Sequence, residues 1–236
     1  MDSTELIRLN KYLKDNNICS RRKADEFIAK GYVKINGQVV SELGAKINPL
    51  IDKVELSEQL EQEKSEFVYI VLNKPKGFVC SNSRRDGKPI YDLLPKIDNL
   101  SYAGRLDKES HGLVILSTDG KFVYKVFGAE FAKEKEYIVR VNKPLTKEYI
   151  TKQSDGSIVL DGKKLRPAKV KQIGSNVYKI ILTEGVNRQL RRMAEECDYK
   201  VTDLKRIRIG GVNDKDLHLG KWRNLTPSEI SDILAM

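Results

Sequence analysis

The stretch Gly104-Arg105-Leu106-Asp107-Lys108-Glu109-Ser110-His111-Gly112 runs directly into Leu113-Val114-Ile115-Leu116. A charged loop bounded by glycines hands over to a short apolar run of strand type. The glycines allow tight backbone turns at both ends. One carboxylate, Asp107, stands between Arg105 and Lys108 at the mouth of a buried strand. On its own the stretch reads first as a common surface turn and only second as a reactive group, so the rest of the chain has to decide.

Further strands lie on either side of it. Phe67-Val68-Tyr69-Ile70-Val71-Leu72 is an apolar run ended by the breaker loop Asn73-Lys74-Pro75-Lys76-Gly77. Strand-like runs recur at 113–116, 136–141, 168–173 and 177–182, and helical patterns at 119–127, 146–153, 188–197 and 227–235. Strands outnumber helices and do not alternate strictly with them. The pattern predicts an α+β fold with a mixed, mainly antiparallel sheet.

Residues 6–56 read as a separate small module. Leu9, Tyr12 and Leu13 recur at helical spacing, and Asn16-Asn17 breaks the helix. Ser20 suits an N-cap, Ala24, Phe27 and Ile28 form the next apolar stripe, and Gly31 suits a C-terminal cap. Tyr32–Ile35, the turn Asn36-Gly37 and Gln38–Val40 make a hairpin, followed by a short strand over Lys53–Leu56. Residues 57–66 are polar and acidic and read as a linker, which leaves 67–236 as the second domain.

The 236-residue chain carries 43 Lys and Arg against 33 Asp and Glu, a net charge of +10. Such a balance favours an anionic partner, nucleic acid first. The charge is clustered: Arg8, Lys11, Lys14, Arg21, Arg22 and Lys23 face a single acid, Asp15. Basic side chains at adjoining helix starts make a phosphate grip; the competing reading is a solvated helical face. The 3 cysteines are far apart and form no ligand spacing with the 2 histidines. The chain therefore reads as a cytoplasmic, reduced protein without disulfides or a metal site. No apolar run approaches the roughly 20 residues of a membrane span, and Met1–Glu5 do not resemble a signal peptide. The motifs of ATPases, dehydrogenases, α/β-hydrolases and metalloproteases are absent.

Three later elements can join the opening loop. In Lys135-Glu136-Tyr137-Ile138-Val139-Arg140-Val141, alternation sets Tyr137, Val139 and Val141 on one face; such a Tyr is usually core, but it is also what a flipped base stacks on. In the helix expected from about Asn187, Leu190, Met193, Ala194 and Cys197 form the buried stripe. Arg188 and Arg192 lie opposite it, placed for phosphates or solvation, and Arg191 falls on the flank, where it can hold a carboxylate. Lys205-Arg206-Ile207-Arg208-Ile209 alternates as a strand with one charged face would.

Arg8–Leu13, Cys19–Asp25 and Gly31–Gly37 together resemble an S4 domain, a small fold that binds structured RNA. Behind it stand Asn73–Gly77, Gly104-Arg105-Leu106-Asp107, Lys135-Glu136-Tyr137 and Asn187-Arg188-Gln189-Leu190-Arg191-Arg192-Met193, in that order. The whole resembles the RsuA/RluB/RluE/RluF family of pseudouridine synthases, nearest in type to the RluF-like 23S rRNA enzymes. The resemblance implies isomerisation of a specific rRNA uridine without a cofactor. By motif match it makes Asp107 the catalytic carboxylate, Arg191 its partner, Tyr137 the residue against the base, and Arg105 the one that fills the flipped base's place. Arg8, Lys11, Arg21, Arg22, Lys23, Lys74, Arg188 and Arg192 are the expected RNA-binding cations. The expected partner is rRNA, free or in an assembly intermediate, and the expected state is a monomer. Two other readings stay open: a non-catalytic rRNA-binding or assembly protein, and the same isomerase acting on 16S rRNA or tRNA.

Overall fold

The computed structural model describes residues 6–16, 18–19, 21–58 and 67–235. The expected cap at Ser20, and the linker from residue 59 to 66, lie outside these. Contacts divide the chain into two compact units, Met1–Val68 with Ser117–Lys121 and Tyr69–Leu116 with Phe122–Met236.

In the first unit, α1 (Leu9–Asp15) and α2 (Arg21–Ala29) pack through Leu9, Leu13, Ala24, Phe27 and Ile28. Val33 and Ile47 close this core. Strands β2 (Val33–Ile35) and β3 (Gln38–Val40) form the expected hairpin. Asn36 and Gly37 both take positive φ, 51° and 81°, the two-residue turn whose twist suits a hairpin. The Asn36 side chain also ties this turn to the segment leading into β5 (Val54–Leu56), accepting from Lys53 N at 2.9 Å. The sequence reading misses one pair, β1 (Ile7–Arg8) with β4 (Lys46–Ile47), because two-residue strands carry no periodicity.

The second unit is built on a nine-stranded sheet. Its main path runs β14 (Lys169–Gly174), β15 (Val177–Leu182), β11 (Lys135–Val141), β16 (Val201–Ile209), β10 (His111–Ser117), β6 (Tyr69–Lys74) and β18 (Trp222–Asn224). β9 (Ser101–Ala103) pairs β10, and β17 (Val212–Asn213) pairs β16, while two short pairs stand apart from this sheet, β7 (Phe78–Val79) with β8 (Lys88–Pro89) and β12 (Val159–Leu160) with β13 (Lys163–Lys164). The β14/β15, β15/β11, β11/β16 and β6/β18 pairs are antiparallel, whereas β10 and β16 run parallel. This is the mixed, mainly antiparallel sheet expected.

β10 is buried from Gly112 to Ser117, which explains its unbroken apolar reading. One side of the sheet packs through Val71, Leu113, Ile115 and Ile209 onto Phe122 and Val126 of α3 (Gly120–Phe127) and Ile233 of α6 (Pro227–Leu234). Thr226 and Glu229 form a capping box at the start of α6, with Pro227 in its first turn. α4 (Lys147–Ser154) reaches α5 (Gln189–Glu195) through Gln153, whose Nε2 donates to Met193 O at 2.8 Å.

Two details of β16 and β10 position the site. Between Glu136 and Tyr137 of β11 the partner on β16 shifts from Arg208 to Arg206, so Ile207 is an extra, bulged residue. And Gly112 has φ 109°, with any Cβ there falling 2.1 Å from Arg206 O. Only glycine lets β10 run this close to β16.

Candidate active site

The opening loop joins β9 to β10. Leu106 is its anchor: the side chain is buried and its backbone N–H donates to Cys80 Sγ at 3.5 Å. With Leu106 turned in, Arg105 is exposed and Asp107 is half-buried. Ser110 N donates to Asp107 O at 3.0 Å, closing the turn. Lys108 is tied away from the carboxylate, its Nζ donating to Asp86 O at 3.0 Å.

Arg191 leaves the flank of α5 as expected and is only 11% exposed. Its Nη1 donates to Val201 O at 3.3 Å and its Nη2 to Ser110 Oγ at 3.2 Å. Its Nε lies 3.6 Å from Asp107 Oδ2, an ion-pair contact rather than a hydrogen bond. A second guanidinium is also near: Arg188 Nη1 lies 3.7 Å from the same oxygen.

Helical spacing sets Arg188 on the solvent side, and it is exposed there, but not as part of the helix. The helix begins at Gln189, and Arg188 is its N-cap in the left-handed region, φ 49° and ψ 32°. That conformation turns Arg188 towards Asp107. The turn is held by the buried Gln189, which accepts from Val186 N at 3.1 Å and donates to Glu184 Oε1 at 3.0 Å. A helical wheel carries no information about a residue that precedes its helix.

Asp107, Tyr137, Arg105 and Arg188 line one cleft of about 680 Å³. Tyr137 is 9% exposed and sits on the apolar face of β11 that alternation gives it, opposite Ile180 on β15 and Arg206 on β16. Two cleft cations escape the sequence reading as site residues. Lys135 opens the quoted Lys-Glu-Tyr motif, and Arg206 lies in the alternating basic strand. The bulge at Ile207 splits that strand's expected charged face. Arg208 turns to Glu136 at 2.9 Å and Glu134 at 2.8 Å, whereas Arg206 is 2% exposed on the inner side.

Among the other expected cations, Lys74 is corrected. It is fully buried, and its Nζ donates to Phe78 O at 2.8 Å and Pro75 O at 3.1 Å. Burial brings its pKa down to about 8. It closes the loop after β6 and presents no charge to a phosphate. Arg192 is held by Asp161 in a two-bond pair, both at 2.8 Å. In the first unit Arg8, Lys11, Arg21 and Arg22 are exposed, and Lys23 is paired to Glu26 at 3.0 Å over the Phe27 ring. Three cations and no acid in the first turn of α2 oppose its helix dipole, an arrangement that an anion relieves.

His111, read as a loop residue, instead opens β10. Its Nε2 lies 3.1 Å from Asp203 Oδ1, and Lys76 Nζ lies 2.5 Å from the same oxygen. Burial pushes the Asp203 carboxyl up, but Lys76 and His111 outweigh this and hold it below its ordinary value. No group of metal-ligand type gathers among the described residues, and no helix among them is long and apolar enough to cross a membrane.

Residues 68–196 match the family model described as RNA pseudouridylate synthase, and residues 7–49 match that of the S4 domain. The chain is 39% identical over 232 residues to the dual-specificity RNA pseudouridine synthase RluF of Escherichia coli K12, covering 98% of this chain and 79% of the relative. It is 36% identical to the ribosomal large subunit pseudouridine synthase B of Bacillus subtilis, covering 97% and 96% of the two chains. It is 34% identical to the ribosomal small subunit pseudouridine synthase A of Haemophilus influenzae, covering 97% and 100%. A crystal structure of a pseudouridylate synthase superposes with a TM-score of 0.71 at 32% identity, covering 96% of this chain and 99% of that one.

Proposed function

The chain belongs to the RNA pseudouridylate synthases and carries an S4 domain, and on that premise we propose that it isomerises a uridine of rRNA to pseudouridine. The observation that carries the proposal is Asp107, half-buried between Arg188 and Arg191 on the wall of the cleft that holds Tyr137.

The reaction breaks the N1–C1′ bond, and its electron pair goes to the base. C5 then bonds to C1′, the C5 proton leaves and N1 takes up a proton, so substrate and product are isomers. Asp107 acts either as a base on the ribose, taking a proton and returning it, or as a nucleophile that is later released. Both roles need the carboxylate form, and two guanidinium groups stand within 4 Å of it. The target uridine leaves its stack to reach the carboxylate. The base packs on Tyr137, and Arg105, exposed at the cleft edge, fills the vacated place. Domains 6–56 and 67–236 divide the work: the first grips RNA phosphates through Arg8, Lys11, Arg21 and Arg22, and the second performs the chemistry.

The large-subunit 23S rRNA, free or in an assembly intermediate, is the preferred substrate, on the strength of the similarity to RluF and to the large-subunit enzyme. The protein acts in the cytoplasm as a monomer. The test is to map pseudouridine in 23S rRNA, 16S rRNA and tRNA after incubation with the wild-type protein and with Asp107→Asn. New pseudouridine with the wild type and none with the variant is expected. Retained isomerisation by Asp107→Asn would overturn the assignment.

A further inference from the structure

Arg206 is a buried cation without a counter-ion among the described residues. It is 2% exposed, and its Nε donates to Leu113 O at 2.7 Å. Its Nη2 is buried with no hydrogen-bond partner. A buried guanidinium left in this state is costly unless function retains it.

A second cation lies near it. Lys135 lines the same cleft, and among the described residues its Nζ donates only to a backbone carbonyl, Lys133 O, at 3.2 Å. Burial, and then the charge of Arg206, bring the Lys135 pKa down to about 8. No carboxylate lies within ion-pair distance of either among the described residues, whereas most other buried or half-buried arginines here have one: Arg191 with Asp107, Arg208 with Glu134 and Glu136, and Arg223 with Glu229. Two cations in one cleft, neither paired with an acid among the described residues, point to an anion that arrives with the substrate.

The location identifies that anion. Arg206 is the direct partner of Tyr137 across the β11/β16 ladder. Residues opposed in an antiparallel pair lie side by side on one face. The bulge at Ile207 is what brings Arg206, rather than Ile207, to this place. A phosphate belongs at the cleft rim, in solvent, where Arg105 and Arg188 are exposed. The floor beside Tyr137 receives the base.

We propose that Arg206 and Lys135 form an electrostatic floor under the base, whose charges stabilise the negative charge that uracil takes up when its bond to ribose breaks. This rests on the isomerase reading above. The N1–C1′ electron pair spreads over the uracil ring and its two carbonyl oxygens, and fixed cations in a dry site favour that state over the neutral base. When C5 re-bonds to C1′ the pair returns to a covalent bond, so the floor neither gains nor loses a proton. The effect is the same whether Asp107 acts as base or as nucleophile.

The test compares wild type, Arg206→Gln, Arg206→Lys and Lys135→Met in single-turnover isomerisation of an RNA fragment the wild type converts. RNA affinity and thermal melting are measured alongside. Arg206→Gln should slow uridine conversion by about a hundredfold at unchanged RNA affinity, Lys135→Met by about tenfold, and Arg206→Lys should recover most of the loss. The decisive readout is the same series on RNA carrying 5-fluorouridine at the target, followed as loss of that nucleoside. Fluorine makes the base a better anion, so the deficits of Arg206→Gln and Lys135→Met should shrink by about tenfold. Equal deficits on both substrates, or unchanged rates on uridine, would overturn the inference. If Arg206→Gln fails to fold, Lys135→Met decides by the same comparison. A wild-type protein that converts no uridine in any rRNA or tRNA sinks the isomerase reading itself, an outcome distinct from both.

Discussion

Arg191 Nε lies 3.6 Å from Asp107 Oδ2, buried and without a hydrogen-bond partner, while both terminal nitrogens of the same guanidinium are bound elsewhere. The pair is therefore not the usual two-bond fork. Val201 O and Ser110 Oγ hold the outer nitrogens and leave the Nε edge for the carboxylate. Ser110, itself fully buried, also closes the Asp107 turn through its backbone N–H. One serine thus sets the position of both the acid and its cation.

Arg191→Lys should cost about a hundredfold in turnover, because an ammonium cannot meet Val201 O, Ser110 Oγ and Asp107 from one atom on a flexible stem. Ser110→Ala keeps the cation and frees its aim, so a smaller loss, about tenfold, is expected with RNA affinity unchanged. Single-turnover assays on an rRNA fragment measure both. Unchanged turnover in Arg191→Lys would make Arg191 a structural residue.

The first unit should show itself in salt dependence. Arg21→Ala and Arg22→Ala each remove an exposed cation from the start of α2. Each should lower the slope of log affinity against log salt by about one and weaken RNA binding at low salt. The single-turnover rate at saturating RNA should not change. Lys23→Ala should have the smaller effect, since Lys23 is already paired to Glu26. Filter binding across a salt series distinguishes these cases; a slope unchanged by all three would remove α2 from the RNA interface.

Much of this architecture is legible in the chain. The Asn36-Gly37 turn, the alternation of β11 and the flank position of Arg191 follow from local rules, and the structure bears each of them out. What the chain hides arises where local rules are broken by tertiary contacts. The bulge at Ile207 splits the expected charged face and turns Arg206 inward, and bulges leave no mark in a period-two pattern. The left-handed Arg188 precedes its helix and escapes the wheel. Lys74 reads as a loop cation because nothing in the sequence announces that Phe78 O and Pro75 O fold back onto it. Lys74→Met should accordingly lower the melting temperature and leave RNA affinity unchanged; a loss of affinity without a change in melting would restore the sequence reading.

Gly112 reads in the sequence as a turn glycine, but its importance lies in the sheet. A Cβ at this position would fall 2.1 Å from Arg206 O and 2.7 Å from Arg206 N, at φ 109°. Neither atom is a movable side chain, so the parallel β10/β16 pair would have to separate where it begins. Gly112→Ala should destabilise the protein by about 3 kcal/mol or more, combining backbone strain with overpacking. Urea unfolding checks this. Gly37→Ala is the contrast: its Cβ would meet nothing within 4 Å, although φ 81° still strains it. Its cost should be about 1 kcal/mol.

Lys135 makes the pH dependence of the reaction informative. Burial, and then the charge of Arg206, lower its pKa from the ordinary 10.5 to about 8. The ammonium is therefore charged below about pH 8 and neutral above it. If its charge serves the reaction, kcat/KM, which reports the free enzyme, should fall as pH rises through 8. Stability should move the other way. Burial penalises the charged form, so the native state gains stability as pH climbs from about 8 towards 10.5. Lys74, lowered to about 8 by the same cause, adds to that gain. The other charged side chains lining this cleft are Arg105, Arg188 and Arg206 with Asp86, Asp107 and Glu184. A falling kcat/KM with a melting temperature that does not fall thus separates titration from unfolding. Ionisation of the uridine itself is common to every variant, so Lys135→Met isolates the lysine. In that variant the limb near pH 8 should vanish and the remaining rate should lie lower and flat from about pH 7 to 9. A limb that persists in Lys135→Met would assign the titration to another group and detach Lys135 from the chemistry.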